Sequence, residues 1–234
     1  MRSIPWRYHA RGGRRTIVLL PGWATDARIF AELGGDYNLI APRGMLTSAP
    51  DGLADFLAGL DAAPVVLLGW SLGGYAAADF ACRYPDLTAR VILVGIRPRY
   101  PVEQIDTMRQ AIARDRASCL TSFYRQCFFP GQRSEYRLFQ TTLEPAYVAA
   151  WGADELLAGL DYLAEASLTP ASMPPRPTEL VHGAGDVIAP LSEARRLGEA
   201  AGVPVHVVAD AAHAVFLSAP FPRYLDDACS HDQK

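Results

Sequence analysis

Lysine is all but missing from this chain of 234 residues: of its 22 basic side chains one is lysine, and that is the last residue, Lys234. Schiff-base chemistry and the phosphate-binding P-loop both need a lysine positioned inside the fold, so neither is expected. Histidine is scarce as well. The five, at positions 9, 182, 206, 213 and 231, show no HxxxH or HxH spacing, so no metal and no other cofactor is expected. Cys82, Cys119, Cys127 and Cys229 make neither a CxxC pair nor a disulfide-rich pattern, which fits reduced thiols in a chain of this size. No apolar run approaches the roughly 18 residues of a membrane span, and "MRSIPWRYHARGGRRT" carries positive charge without the apolar stretch of a signal peptide. The expectation is a cytoplasmic protein, monomeric and free of membrane contact.

Charge of one sign is lacking too. A net charge of -3 and a pI near 5.9 give no overall signal for nucleic acid, and none is expected as a partner. What is present is apolar: half the residues are hydrophobic, enough for a sizeable core in one domain or one domain with an insertion.

Short apolar runs alternate with helical patterns in two blocks. "TIVLLPG" (16–22), "YNLIAP" (37–42), "PVVLLG" (64–69) and "ARVILVG" (89–95) read as strands buried on both faces, with helices near 26–34, 51–61 and 72–84. The rhythm resumes with "TELVHG" (178–183), a helix near 190–201, "VPVHVVA" (203–209) and a helix near 214–229. Alternation of this kind predicts an α/β fold, a mostly parallel sheet flanked by helices. Residues 97–176 lack such strands and read as helices interrupted by Pro and Gly. The expected division is a core of 1–96 and 177–234 with a helical cap inserted at 97–176, returning through the proline-stiffened "ASMPPRPTE" (171–179).

Gly69-Trp70-Ser71-Leu72-Gly73 matches G-x-S-x-G between a strand and a helix, a context in which small residues let the two elements approach while a tight turn holds the serine hydroxyl clear. A serine hydroxyl needs a general base, and the base needs a carboxylate to fix its tautomer. "HGAGDVIAP" supplies Asp186 after one predicted strand and "DAAHAVF" supplies His213 after the next, in the chain order Ser, Asp, His. Asp186 could instead cap the following helix, His213 could be a partly buried loop histidine, and Asp210 is a rival acid in the same loop as His213. The three together, each following its own strand, point to nucleophilic catalysis. The oxyanion would then be held by the backbone N–H of Leu72 and of Trp23 in "LLPGWATDARIF". The Trp23 indole could also wall the pocket.

Taken together, "PGWATDARIF", "LLGWSLGGYAA", "HGAGDVIAP" and "AAHAVFLSAP" resemble the α/β-hydrolase superfamily, and more narrowly the pimeloyl-carrier-protein methyl ester esterases of biotin synthesis. The resemblance covers 14–96 and 177–229 and implies an α/β-hydrolase fold with a shortened amino-terminal strand region. It implies a serine carboxylesterase acting on an acyl ester, with Ser71, Asp186 and His213 catalytic and Trp23 and Leu72 at the oxyanion. It further suggests that "FYRQCF" (123–128) lines the pocket, carrying over Phe123 and Tyr124 beside Trp23 and Trp70 as substrate-binding residues. Where the family usually has His-Gly-Trp, this chain has Pro21-Gly22-Trp23.

Residues 97–137 hold eight arginines and four acids, whereas 144–167 hold five acids and no base. Two solvated helix faces paired with each other would explain this, and so would a docking patch for an acidic acyl carrier protein, for which Arg125, Arg133 and Arg137 are the candidates. A thioesterase, a general short-chain esterase, a lyase of the menaquinone-pathway type and a non-catalytic receptor remain alternatives on the same scaffold.

Overall fold

A computed structural model of the chain describes residues 5–230. His231 and Lys234, named above, lie outside the described residues. Seven strands form one sheet in the order β1-β3-β2-β4-β5-β6-β7. They are β1 (Trp6–His9), β2 (Arg15–Leu20), β3 (Tyr37–Pro42), β4 (Val65–Trp70), β5 (Thr88–Val94), β6 (Thr178–Gly183) and β7 (Val205–Val208). β1 runs antiparallel to β3 and every other pairing is parallel, the shortened amino-terminal edge expected from the sequence.

The runs read as doubly buried strands are so because helices cover both faces. β4 is buried along its whole length, as is β2 beyond Arg15. α1 (Leu53–Leu60), α2 (Leu72–Arg83), α7 (Leu191–Ala201) and α8 (Phe221–Ser230) belong to this layered part. Between β5 and β6 the chain forms α3 (Val102–Phe128), α4 (Arg133–Thr142), α5 (Glu144–Ala150) and α6 (Ala153–Glu165) and contributes no strand. α3 is broken at Asp115 (φ -158°, ψ 96°), whose carboxylate accepts from Ser118 N at 3.1 Å and so caps the second half of the helix.

Two expected helices are shorter than their periodicity suggested. The segment near 26–34 is a single 3₁₀ turn, Ala27–Phe30, because Ile29 and Phe30 are already buried there and Gly34 and Gly35 (φ 104°) follow within a turn. The last helix starts at Phe221, not near 214. Pro222 sits in its first turn, where a missing N–H is harmless, and residues 215–217 form a separate 3₁₀ turn.

Strand order places the site. The chain leaves β2 toward β3 on one side and returns to β4 on the other, so the loops after β2 and β4 diverge at the carboxyl ends of adjacent strands. In open α/β sheets that crevice is where ligands bind. Trp23 follows β2 and Ser71 follows β4.

Candidate active site

Ser71 occupies a turn with φ 53° and ψ -116°, a conformation that L residues rarely adopt and that packing has to impose. Its N–H donates to Val94 O at 2.9 Å, and its carbonyl accepts from Gly74 N at 2.8 Å, so both flanks of the turn are fixed. The glycines are required by contact: a Cβ on Gly73 would strike the Leu20 carbonyl, and one on Gly69 would strike the Gly73 backbone. The serine is therefore held at the strand-to-helix elbow that the sequence predicted.

His213 and Asp186 meet in the interior, past the ends of β7 and β6. His213 Nδ1–H donates to Asp186 Oδ2 at 2.8 Å, and both side chains are wholly buried. Asp186 Oδ1 accepts from Ile188 N at 2.9 Å and from Ala189 N at 2.8 Å. Burial by itself would raise this carboxyl, but the charge of and hydrogen bond from His213, with smaller help from His182 and the Ala189 N–H, hold it below the ordinary carboxylate range. It does not cap α7, whose N-cap position is Pro190. The rival acid Asp210 is exposed.

His213 Nε2 is buried and has no hydrogen-bond partner among the described residues. Ser71 Oγ bonds instead to the hydroxyl of Tyr100, at 3.1 Å. Catalytic hydrogen bonds are commonly unmade in a free enzyme and close only around substrate. Among the described residues neither the Trp23 nor the Leu72 N–H donates to a protein acceptor. Ala24, at φ 58°, turns the chain directly after Trp23.

A cavity of about 330 Å³ opens from Ser71 and is lined by Trp23, Tyr100, Ile105, Met108, Phe123, Leu160 and neighbouring side chains, none of them charged. Trp23 and Phe123 meet edge to face at 4.8 Å, and the Trp23 indole donates to Leu156 O at 2.9 Å, tying α6 over the pocket. Two residues expected there are elsewhere. Tyr124 is buried away from the cavity, where its hydroxyl donates to Ala24 O at 2.6 Å, because successive helical residues point about 100° apart and Phe123 takes the cavity side. Trp70 packs under the site: its Nε1 donates to His213 O at 2.9 Å and its ring lies 5.5 Å from the imidazole.

Arg125, Arg133 and Arg137 are exposed, form no ion pair among the described residues and do not line the cavity. Part of the charge asymmetry does pair across the helices, through Arg109 and Asp161 at 2.6 Å. Arg97 is buried between β5 and α3 and binds Glu193 at 2.7 Å.

Three contributors escaped the sequence reading. Gln132 clamps the His213 loop on both sides, accepting from Ala212 N and donating to Ala214 O, each at 2.9 Å. His182 is wholly buried, with Nε2 2.6 Å from Ala189 O and 3.3 Å from Asp186 Oδ2. Tyr100 is the third. A glutamine in a Pro-Gly loop and a tyrosine in "RPRYP" carry no local signal of either role.

This sheet order, with a serine at the elbow and an acid and a histidine from later strands, is that of the alpha/beta hydrolases. The chain belongs to the alpha/beta hydrolase family, whose sequence profile matches residues 17–227. It is 28% identical over 246 aligned positions, 88% of this chain and 94% of the relative, to a pimeloyl-[acyl-carrier protein] methyl ester esterase of Aromatoleum aromaticum. It is 29% identical to the protein of the same name from Chromobacterium violaceum, over 86% of this chain and 88% of that one. Among solved structures, an esterase from Exiguobacterium antarcticum superposes with a TM-score of 0.81 at 17% identity, covering 99% of this chain and 96% of the other. Among the described residues no helix is long and apolar enough to cross a membrane.

Proposed function

We propose that this chain is a serine carboxylesterase, and that its substrate is pimeloyl-[acyl-carrier protein] methyl ester. The observation that carries the esterase reading is the buried 2.8 Å bond from His213 Nδ1 to Asp186, which fixes the tautomer that leaves Nε2 free to take a proton from Ser71 on its strained turn.

In this reading residues 97–176 are a helical cap that roofs the pocket. His213 Nε2 takes the Ser71 proton as Oγ attacks the ester carbonyl. The N–H groups of Trp23 and Leu72 receive the oxyanion, and the alcohol departs with the proton from His213. Water then hydrolyses the acyl-enzyme by the same route in reverse. Asp186, held ionised, keeps the imidazolium oriented at each step.

The substrate choice rests on two supports: an uncharged, largely apolar cavity that suits a neutral acyl chain, and two relatives bearing that name at 28% and 29% identity. Arg125, Arg133 and Arg137 are then read as the docking patch for the acidic carrier protein. The test is direct. Purified protein should hydrolyse p-nitrophenyl esters and lose roughly 10⁵ to 10⁶ in kcat on Ser71→Ala. It should also restore growth without biotin to a strain lacking its methyl esterase. Hydrolysis without restored growth would leave a general esterase. A thioester of the same acyl chain cleaved faster than its methyl ester would make this a thioesterase.

A further inference from the structure

Among the described residues the hydroxyl of Tyr100 is the one polar partner of Ser71 Oγ, at 3.1 Å, yet the mechanism above gives it nothing to do. It is not loosely placed. Its ring is buried against Tyr75, with centroids 6.3 Å apart, and lies beneath the Arg97 guanidinium at 5.3 Å. Arg97 is itself fixed by Glu193 at 2.7 Å and by Ile188 O at 3.1 Å, in the loop that carries Asp186. The phenol is thus built into the wall of the cavity and anchored toward the loop that carries Asp186.

Burial, helped by the nearby Asp186 carboxylate, pushes this phenol far above its ordinary range despite the opposing hydrogen bond to Ser71. It therefore keeps its proton and can donate at neutral pH.

We propose that Tyr100 is a further catalytic residue, donating a hydrogen bond to the leaving alkoxy oxygen as the tetrahedral intermediate collapses. This rests on the esterase reading. In that intermediate Ser71 Oγ and the leaving oxygen are bonded to the same carbon, so a donor beside Oγ on the leaving-group side can turn from one to the other. The leaving oxygen must face His213 to receive its proton, and Tyr100 is anchored through Arg97 to the loop of Asp186, the carboxylate that holds His213. Once Oγ has become an ester oxygen it is a weak acceptor, and the phenol O–H turns to the oxygen on which charge is growing. The bond from the acyl carbon to the alkoxy oxygen breaks with its electron pair on that oxygen. The neutralising proton comes from His213 Nε2, which had it from Ser71. Tyr100 keeps its own proton throughout.

Help at the leaving oxygen counts most when that oxygen is basic, as in methoxide, and least when it is p-nitrophenoxide, which needs little help. The experiment measures kcat/KM for one acyl chain esterified to a series of alcohols and phenols, with wild-type protein and Tyr100→Phe. The expected result is a loss of about tenfold to a hundredfold for the methyl ester and a much smaller loss for the p-nitrophenyl ester. The variant's dependence on leaving-group basicity is then steeper than the wild type's. A partly misfolded variant cannot mimic this, since the folded fraction scales every substrate equally. Parallel dependences would overturn the proposal and leave Tyr100 as a support for the Ser71 rotamer. A wild-type protein inactive on the whole series would overturn the esterase reading itself.

Discussion

The indole of Trp70 donates to the main-chain carbonyl of His213 at 2.9 Å, so the residue before the proposed nucleophile fastens the loop that carries the proposed base. That bond joins two parts of the site that arrive from strands far apart in sequence, and it adds to the clamp that Gln132 places on the same loop. Trp70→Phe keeps most of the ring and removes the donor, leaving a buried carbonyl without a partner. A stability loss of about 1 to 3 kcal/mol is expected in urea unfolding. Since Trp70 does not line the cavity, kcat should fall with KM nearly constant. A raised KM with unchanged kcat would return Trp70 to the substrate pocket.

Asp186 and Asp210 separate cleanly in the structure, one bonded to His213 and buried, the other exposed. Asp186→Asn can still accept from Ile188 N and Ala189 N, so the loop should hold. Its amide, however, favours the wrong imidazole tautomer, a change that costs on the order of 10⁴ in kcat in the serine protease where it is known. Asp210→Asn should alter kcat by no more than about twofold, as surface substitutions usually do. The opposite ranking in a steady-state assay would move the catalytic acid.

The elbow, the alternation of strands and helices and the three triad candidates were legible in the sequence because each is a local pattern: apolar runs, small residues around a serine, an acid and a histidine just past strands. The contributions of Tyr124, Trp70 and Gln132 were not. Whether Phe123 or Tyr124 faces the cavity depends on how α3 is rotated against Trp23, and that rotation is set by long-range packing. Trp70 was expected among the substrate-binding residues, yet the turn at Ser71 sends the two side chains different ways. Gln132 acts through backbone groups some 80 residues away. The helix near 26–34 failed for a simpler reason, two glycines that end its periodicity after one turn.

His182 ties acid stability to the same region. Burial holds its pKa below the ordinary histidine value, against the pull of Asp186, with His213 adding a small push in the same direction as burial. The native state therefore stays neutral at this position while the unfolded chain takes up a proton below about pH 6.5. With more protons bound by the unfolded state, stability falls as pH drops through that window, by up to about 1.4 kcal/mol per pH unit for one full proton. Urea unfolding between pH 7 and 5 should show this fall in the wild type and a shallower one in His182→Gln, which cannot titrate. Identical slopes would mean that the acid sensitivity arises elsewhere.

Arg125, Arg133 and Arg137 supply the remaining test, because all three are exposed and none is committed to an ion pair among the described residues. Surface cations outside ion pairs attract an acidic partner over a distance set by the Debye length, which shrinks to about 8 Å at physiological salt. If they dock an acyl carrier protein, kcat/KM for a carrier-bound ester should drop steeply as salt rises, while a small soluble ester should barely respond. Replacing all three by glutamate should depress only the carrier-bound substrate, since the side chains lie outside the cavity and act on encounter. Arg109, already engaged with Asp106 at 2.8 Å and Asp161 at 2.6 Å, is the matched control, and Arg109→Gln should leave the salt response intact. Equal salt sensitivity for the two substrates, or an undiminished carrier-bound rate in the triple variant, would assign these arginines to ordinary solvated helix faces and favour a small-ester hydrolase.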